Sequence, residues 1–299
     1  MSYFEPPKVI KTEVFAEVPE KYRSGGSVRA GRKRSTFLEG PSFDREGNLY
    51  VVDIPNGRIF RISPKGEFAV AAEYEGDPNG LKIHKDGRIF IADHRNGLML
   101  LDPKTGSVAS YLEGPDHLER FKGLNDLVFA SNGDLYFTDQ GQTGLHDPTG
   151  RVFRLTSDGR LDCLLDTIPS PNGLALSRSE RAVFVAVTRA NAIWLVPLTA
   201  RGGVNKVGLF IQLPCPGPDG IALDDDGNVA VAHPGLGVVW LFNSKGMPLY
   251  RVESCKGNMI TNVAYGGDER RYLYMTESQT GTVLRAEMPT PGRAMYSHS

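Results

Sequence analysis

The chain has 299 residues, 34 basic against 35 acidic, and a hydrophobic fraction of 40%. That balance excludes the basic field of a nucleic-acid or anionic-lipid binder. No apolar run approaches the roughly 18 residues of a membrane span, and no signal-peptide core stands at the N-terminus. Three scattered cysteines (Cys163, Cys215 and Cys255) have no CxxC spacing, which argues against a disulfide framework and for a reducing compartment. Each reads as a buried small apolar residue or a bystander, and a soluble cytoplasmic protein is expected.

Residues 1–8 are polar and read as a loose arm, and Val9 to Val18 reads as a strand. Residues 19–36 form a connection rich in Gly, Arg and Ser, and its basic cluster Arg29 to Arg34 lacks interleaved aromatics, as a solvated loop does. From Phe37 one phrase repeats. A polar residue beside Gly or Pro leads into an apolar run, a turn follows, and a second apolar run ends in a polar residue. Copies begin at Glu39, Asn79, Asn125, Asn172, Asp219 and Asn262, about 40 to 47 residues apart, the period of propeller blades. Turns such as Lys85-Asp86-Gly87-Arg88 and Asp225-Asp226-Gly227-Asn228 supply the positive φ of tight hairpins. The fourth copy has Ser177-Arg178-Ser179-Glu180-Arg181 there and predicts a longer turn. Helical periodicity is absent.

The expected fold is therefore an all-β, six-bladed β-propeller with four antiparallel strands per blade, forming one domain over residues 1–299. Its blades run from about 37 to 289, with a short tail at 290–299. The last copy supplies three strands, so the Val9 to Val18 strand is expected outermost on blade six, closing the ring and removing its edges.

In antiparallel pairs the start of one strand lies beside the end of the next, so the six lead residues share a face with the ends of the second strands. Glu39 and Asp219, with the amide oxygens of Asn125 and Asn172, form an all-oxygen set suited to one hard divalent cation. Calcium is the first expectation, and magnesium, manganese, zinc or iron are compatible. Asn and Asp before Gly also form turns without any ligand, yet turn chemistry has no call for Glu at position 39.

Glu39-Gly40-Pro41, Leu124-Asn125-Asp126, Pro171-Asn172-Gly173-Leu174 and Pro218-Asp219-Gly220-Ile221 together resemble the signature of the regucalcin/gluconolactonase (SMP-30-like) family. The stretches at Pro78 to Gly87 and Phe137 to Asp139 resemble its drug-responsive lactonase branch, which is related to diisopropyl fluorophosphatases. The resemblance implies a six-bladed propeller with a catalytic divalent ion in its channel, and lactone hydrolysis as its chemistry. It also implies Glu39, Asn172 and Asp219 as metal ligands, Asn125 as ligand or substrate contact, and Asp139 at the metal site. Gly123 and Leu127 depart from the Arg and Gly that sugar-lactonase members carry there.

The expectation is a metal-dependent ester hydrolase acting on a small-molecule lactone, as a monomer. Asp219 is the first choice of base and Asp139 the second, with His233 as a candidate proton shuttle. Asn125, Asn79, His94 and Arg189 are candidate substrate contacts, the last able to pair with a substrate carboxylate, with Asp219 or with Asp139. A non-catalytic propeller binding a partner on its rim, and a phosphotriesterase of the fluorophosphatase kind, are the alternatives.

Overall fold

The computed structural model describes residues 5–23, 28–29, 32–33, 36–200 and 202–298; the side chains of the basic cluster Arg29 to Arg34 lie outside the described residues. Six antiparallel sheets are arranged as a β-propeller. Blade one comprises Leu38–Phe43, Leu49–Asp53, Arg58–Ile62 and Phe68–Glu73, and blade two Pro78–Ile83, Ile89–Asp93, Gly97–Asp102 and Ser107–Leu112. Blade three comprises Leu124–Phe129, Leu135–Asp139, Gly150–Leu155 and Leu161–Ile168, and blade four Pro171–Leu176, Ala182–Val187, Ala192–Pro197 and Gly208–Gln212. Blade five comprises Ile221–Leu223, Val229–His233, Val238–Phe242 and Pro248–Glu253; blade six has Ile260–Gly266, Tyr272–Glu277 and Thr282–Glu287. The only helices among the described residues are short 3₁₀ turns.

Strand alternation buries both faces of each sheet against its neighbours. The apolar core accordingly divides into clusters that each join two adjacent blades, such as Phe90 and Leu98 of blade two with Leu124, Phe137 and Phe153 of blade three. The ring closes where Ala264 and Tyr274 of blade six meet Phe43, Val51 and Phe60 of blade one. Where the corresponding turns of blades one, two, three and five place glycine in the left-handed region, blade four puts Glu180 there at φ 56°. Its turn is one residue longer, closed by Ser177 N–H on Ala182 O rather than by the Asp44 to Asn48 spacing of blade one.

The N-terminal segment departs from its expectation. It is two strands, not one, and it serves two blades. Glu13–Glu17 pairs antiparallel with Thr282–Glu287 and is the outermost strand of blade six, as expected. Lys8–Lys11 instead pairs parallel with Pro248–Glu253 on blade five. Thr12 makes the passage between them, its N–H and hydroxyl both donating to Glu253 O at 3.1 and 3.0 Å. All three cysteines are free and exposed, bystanders rather than buried apolar residues.

Candidate active site

The inner strands sit side by side because they carry glycine where they meet. A Cβ on Gly40 would lie 2.8 Å from Gly80 Cα, one on Gly80 2.7 Å from Asn125 O, and one on Gly173 2.5 Å from Asp219 O. Blade three breaks the glycine series with Asp126, and blade six with Asn262. The register shows this: Leu38, Pro78, Leu124, Pro171 and Ile260 face Asp53, Asp93, Asp139, Val187 and Glu277. The lead residue of blade six is thus Thr261, one before the Asn262 expected from the sequence. Asn262 and Asp126 are true counterparts, each carboxamide or carboxylate accepting the N–H of the next residue at 2.8 Å.

This geometry gathers oxygens on the axis. Glu39, Asn125, Asp126, Asn172 and Asn262 are buried, while Asp219 is half-buried. Asn262 Nδ2 donates to both Glu39 Oε2 (2.8 Å) and Asp126 Oδ2 (3.2 Å), tying blades six, one and three together. Asn172 donates to Asp219, and its Oδ1 is buried without a partner. Asn125 Nδ2 is committed to Gln140 Oε1 (2.9 Å), and Gln140 Nε2 to Ser170 Oγ (2.9 Å), leaving the Asn125 carbonyl oxygen as its donor atom for a ligand. Lys82 Nζ stands 3.8 Å from Asp126 Oδ1. Asn262 is expected on this face as a lead residue, but the sequence gives no axial role to Asp126 or Lys82, which meet the other axial residues only through contacts between blades.

Burial, helped by the charge of Asp126 and opposed by hydrogen bonds, pushes the Glu39 carboxyl up to about 7. Asp219 is raised well above the usual carboxylate range by burial and by the charges of Glu39 and Asp126. Among the described residues no three His, Cys, Asp or Glu side chains form a ready-made metal cluster. The set mixes carboxylates with amides instead. Its members fit a hard divalent cation: two carboxylates short of positive charge lie beside a buried amide oxygen that lacks a partner.

The ends of the second strands do different work. Asp53, Asp93, Asp139, His233 and Glu277 are fully buried. Asp93 accepts the N–H groups of Arg95 and Asn96 at 2.8 Å each, and Glu277 those of Gln279 and Thr280 at 2.9 Å each. Asp139 accepts Gly123 N–H at 2.8 Å and Arg151 Nε and Nη2 at 2.7 and 2.6 Å, so both its oxygens are committed. It is not available as a base. His233 is likewise closed in: Trp240 Nε1–H donates to Nδ1 at 3.1 Å, so Nε2 carries the proton, shared between Pro214 O at 3.2 Å and Pro216 O. Burial holds its pKa below the ordinary value, and neither nitrogen can shuttle a proton. These positions pin the loops between blades.

Above the axis opens a cleft of about 660 Å³ lined by Asn79, His94, Gln140, His146, Ser170 and Arg189 together with residues 141–145. Two of the expected substrate contacts on blade two, Asn79 and His94, lie there half-buried. Gly123 makes room for the His94 ring, since a Cβ on it would lie 2.5 Å from the imidazole.

The sequence profile of the SMP-30/gluconolactonase/LRE-like region matches residues 37–279. Among curated proteins, lactonase drp35 of Staphylococcus aureus (strain MW2) is 33% identical over 236 residues, 74% of this chain and 70% of that protein. The Staphylococcus epidermidis lactonase drp35 is 31% identical over 233 residues, 72% and 69% of the two chains. Among solved structures, a calcium-binding regucalcin of Agrobacterium tumefaciens superposes with a TM-score of 0.79 at 22% identity, covering 98% of this chain and all 100% of that one. A gluconolactonase of Xanthomonas campestris gives 0.76 at 21% identity, over 95% and 98%.

Proposed function

Because the chain belongs to the SMP-30/gluconolactonase/LRE-like family, we propose that it is a hydrolase opening a lactone at the axial site. The observation that carries this reading is the unpartnered Asn172 Oδ1 beside two proton-retaining carboxylates, set below an open cleft. The curated relatives named lactonase support the reaction class. Glu39, Asn125, Asn172 and Asp219 are the residues that would hold a divalent ion, calcium first, as in the neighbour named calcium-binding. When bound, such an ion supplies Lewis acidity at the ester carbonyl and favours the ionised carboxylates.

The chain's own residues do the rest. Asp219, the axial carboxylate that is only half-buried, takes the proton of the attacking water at a carboxylate oxygen. Water adds to the carbonyl carbon, the ring C–O bond breaks, and the alkoxide leaving group recovers a proton, giving the open hydroxy acid. Asn125, held by Gln140, together with Asn79 and His94, positions the ring. Asn262 orients Glu39 and Asp126 through its one amide, and Lys82 partly neutralises Asp126. Cytoplasmic, monomeric action belongs to the same reading.

The test is hydrolysis of a lactone panel (aldonolactones, dihydrocoumarin, acyl-homoserine lactones) by metal-stripped protein, with single divalent ions added back. Activity should return with metal, and Asp219→Asn should lower kcat roughly 10²–10⁴-fold, the range for loss of a positioned base. An ion that raises Tm while no lactone turns over would sink the catalytic reading.

A further inference from the structure

Blade four differs from the other blades at the end of its second strand. Where they end on a buried carboxylate or on His233, it ends on Val187. Two residues later, in the 3₁₀ turn Thr188–Ala190, comes Arg189. Its counterpart on blade two is Arg95, as the matching bonds His94 N–H to Asp77 O and Thr188 N–H to Ser170 O show. Arg95 is neutralised by Glu75 at 3.2 Å and Asp77 at 3.5 Å, both in the segment entering its blade. The same places on blade four are Ile168 and Ser170, and neither carries charge. Arg189 is exposed, and among the described residues it has no carboxylate partner. Asp139, which the sequence offered as one, belongs to Arg151.

Arg189 lines the cleft above the axial site, and no Asp or Glu lines that cleft. Gly144 leaves the space open: a Cβ there would lie 3.2 Å from His146 Nδ1 and 3.7 Å from Arg189 Cγ. Leu145, strongly exposed, adds an apolar surface at the rim. A planar, always-charged fork facing a cleft without acids is a receptor for a carboxylate, which it can grip bidentately.

We propose that Arg189 is a specificity-determining residue and that the substrate is a lactone bearing a free carboxylate, the carboxylate held by Arg189 while the ester lies over the axial oxygens. This rests on the lactone-hydrolase reading. The test compares γ-carboxy-γ-butyrolactone with its neutral carboxamide, in wild type, Arg189→Gln and Arg189→Lys, with calcium present. Wild type should favour the carboxylate in kcat/KM. Arg189→Gln should cut that preference about 10- to 100-fold, mainly through KM, the range of one charge-assisted pair. Arg189→Lys should recover part of it. A preference that Arg189→Gln does not move overturns this inference and leaves the hydrolase reading standing; no turnover of either lactone, nor of any in the wider panel, overturns both.

Discussion

At the residue scale, identical side-chain types serve two purposes here, and their protonation separates them. Glu39 keeps its proton up to about 7 because it is buried, with the charge of Asp126 adding to the effect. His233 is held toward the neutral form by burial, with Trp240 donating to its Nδ1. Its folded pKa lies below the 6.5 of a free imidazole. Below that value the unfolded chain binds a proton that the native state refuses. The stability gained from a neutral His233 is therefore present above 6.5 and lost as pH falls through the folded pKa. Urea unfolding of wild type and His233→Gln from pH 7 to about pH 5 should show wild type losing more, by up to about 1.4 kcal/mol per pH unit. Parallel curves would remove His233 from this account. Glu39, raised rather than lowered, acts with the opposite sign in both proteins and cancels in the comparison. The sequence could not separate these roles: an Asp or His closing a strand is composed alike whether it faces the axis or a loop.

At the scale of elements, every blade but the fourth ends its second strand on a buried polar side chain that pins a connecting loop. Asp139 does this for blade three, with Arg151 closed over it by two hydrogen bonds and almost no exposure. Removing one partner of such a buried pair leaves an uncompensated charge, so Arg151→Met should cost about 3–5 kcal/mol of unfolding free energy. A change under about 1 kcal/mol, the worth of an exposed pair, would show that Asp139 finds other support. The blades themselves were legible, because the apolar alternation recurs in every copy and a Gly-containing turn in all but the fourth. The double clasp was not. Val9 to Val18 is a continuous strand-like stretch, and nothing local in it marks Thr12 as the point where the chain leaves blade five for blade six.

For the whole molecule, the C-terminal segment turns out to be part of the ring. Gly292 N–H bonds Arg270 O on blade six and Arg293 N–H bonds Leu223 O on blade five. The Arg293 guanidinium holds Leu176 O and Ser177 O on blade four. Tyr296 packs its ring on Phe129 of blade three and His84 of blade two, and Ser297 Oγ donates to Phe43 O on blade one. All six blades are touched, at the end of the channel away from the cleft, over an apolar chamber of about 150 Å³. Deleting residues 291–299 should therefore lower stability by several kcal/mol, at about 0.5–1.5 kcal/mol per hydrogen bond, measured as a fall in the urea midpoint. An unchanged midpoint would make the segment a dispensable covering.

What the sequence by itself determined is what repeats. Period, turn chemistry and the run of Glu39, Asn79, Asn125, Asn172 and Asp219 follow from local rules applied in successive copies, and they sufficed for the six-bladed ring and most of the axial oxygens. Only the tertiary structure decided what depends on proximity across blades. Asp126 and Asn262 stand in the glycine position and join the axis through one shared amide. Thr261 leads blade six because strand register sets it there. Arg189 has no carboxylate partner among the described residues because two positions nineteen and twenty-one residues upstream lack the acids that Arg95 finds on blade two. The reason is the same throughout: a side chain's hydrogen bonds and charge partners in a propeller come largely from neighbouring elements, and a linear pattern records what each strand is without recording what it faces.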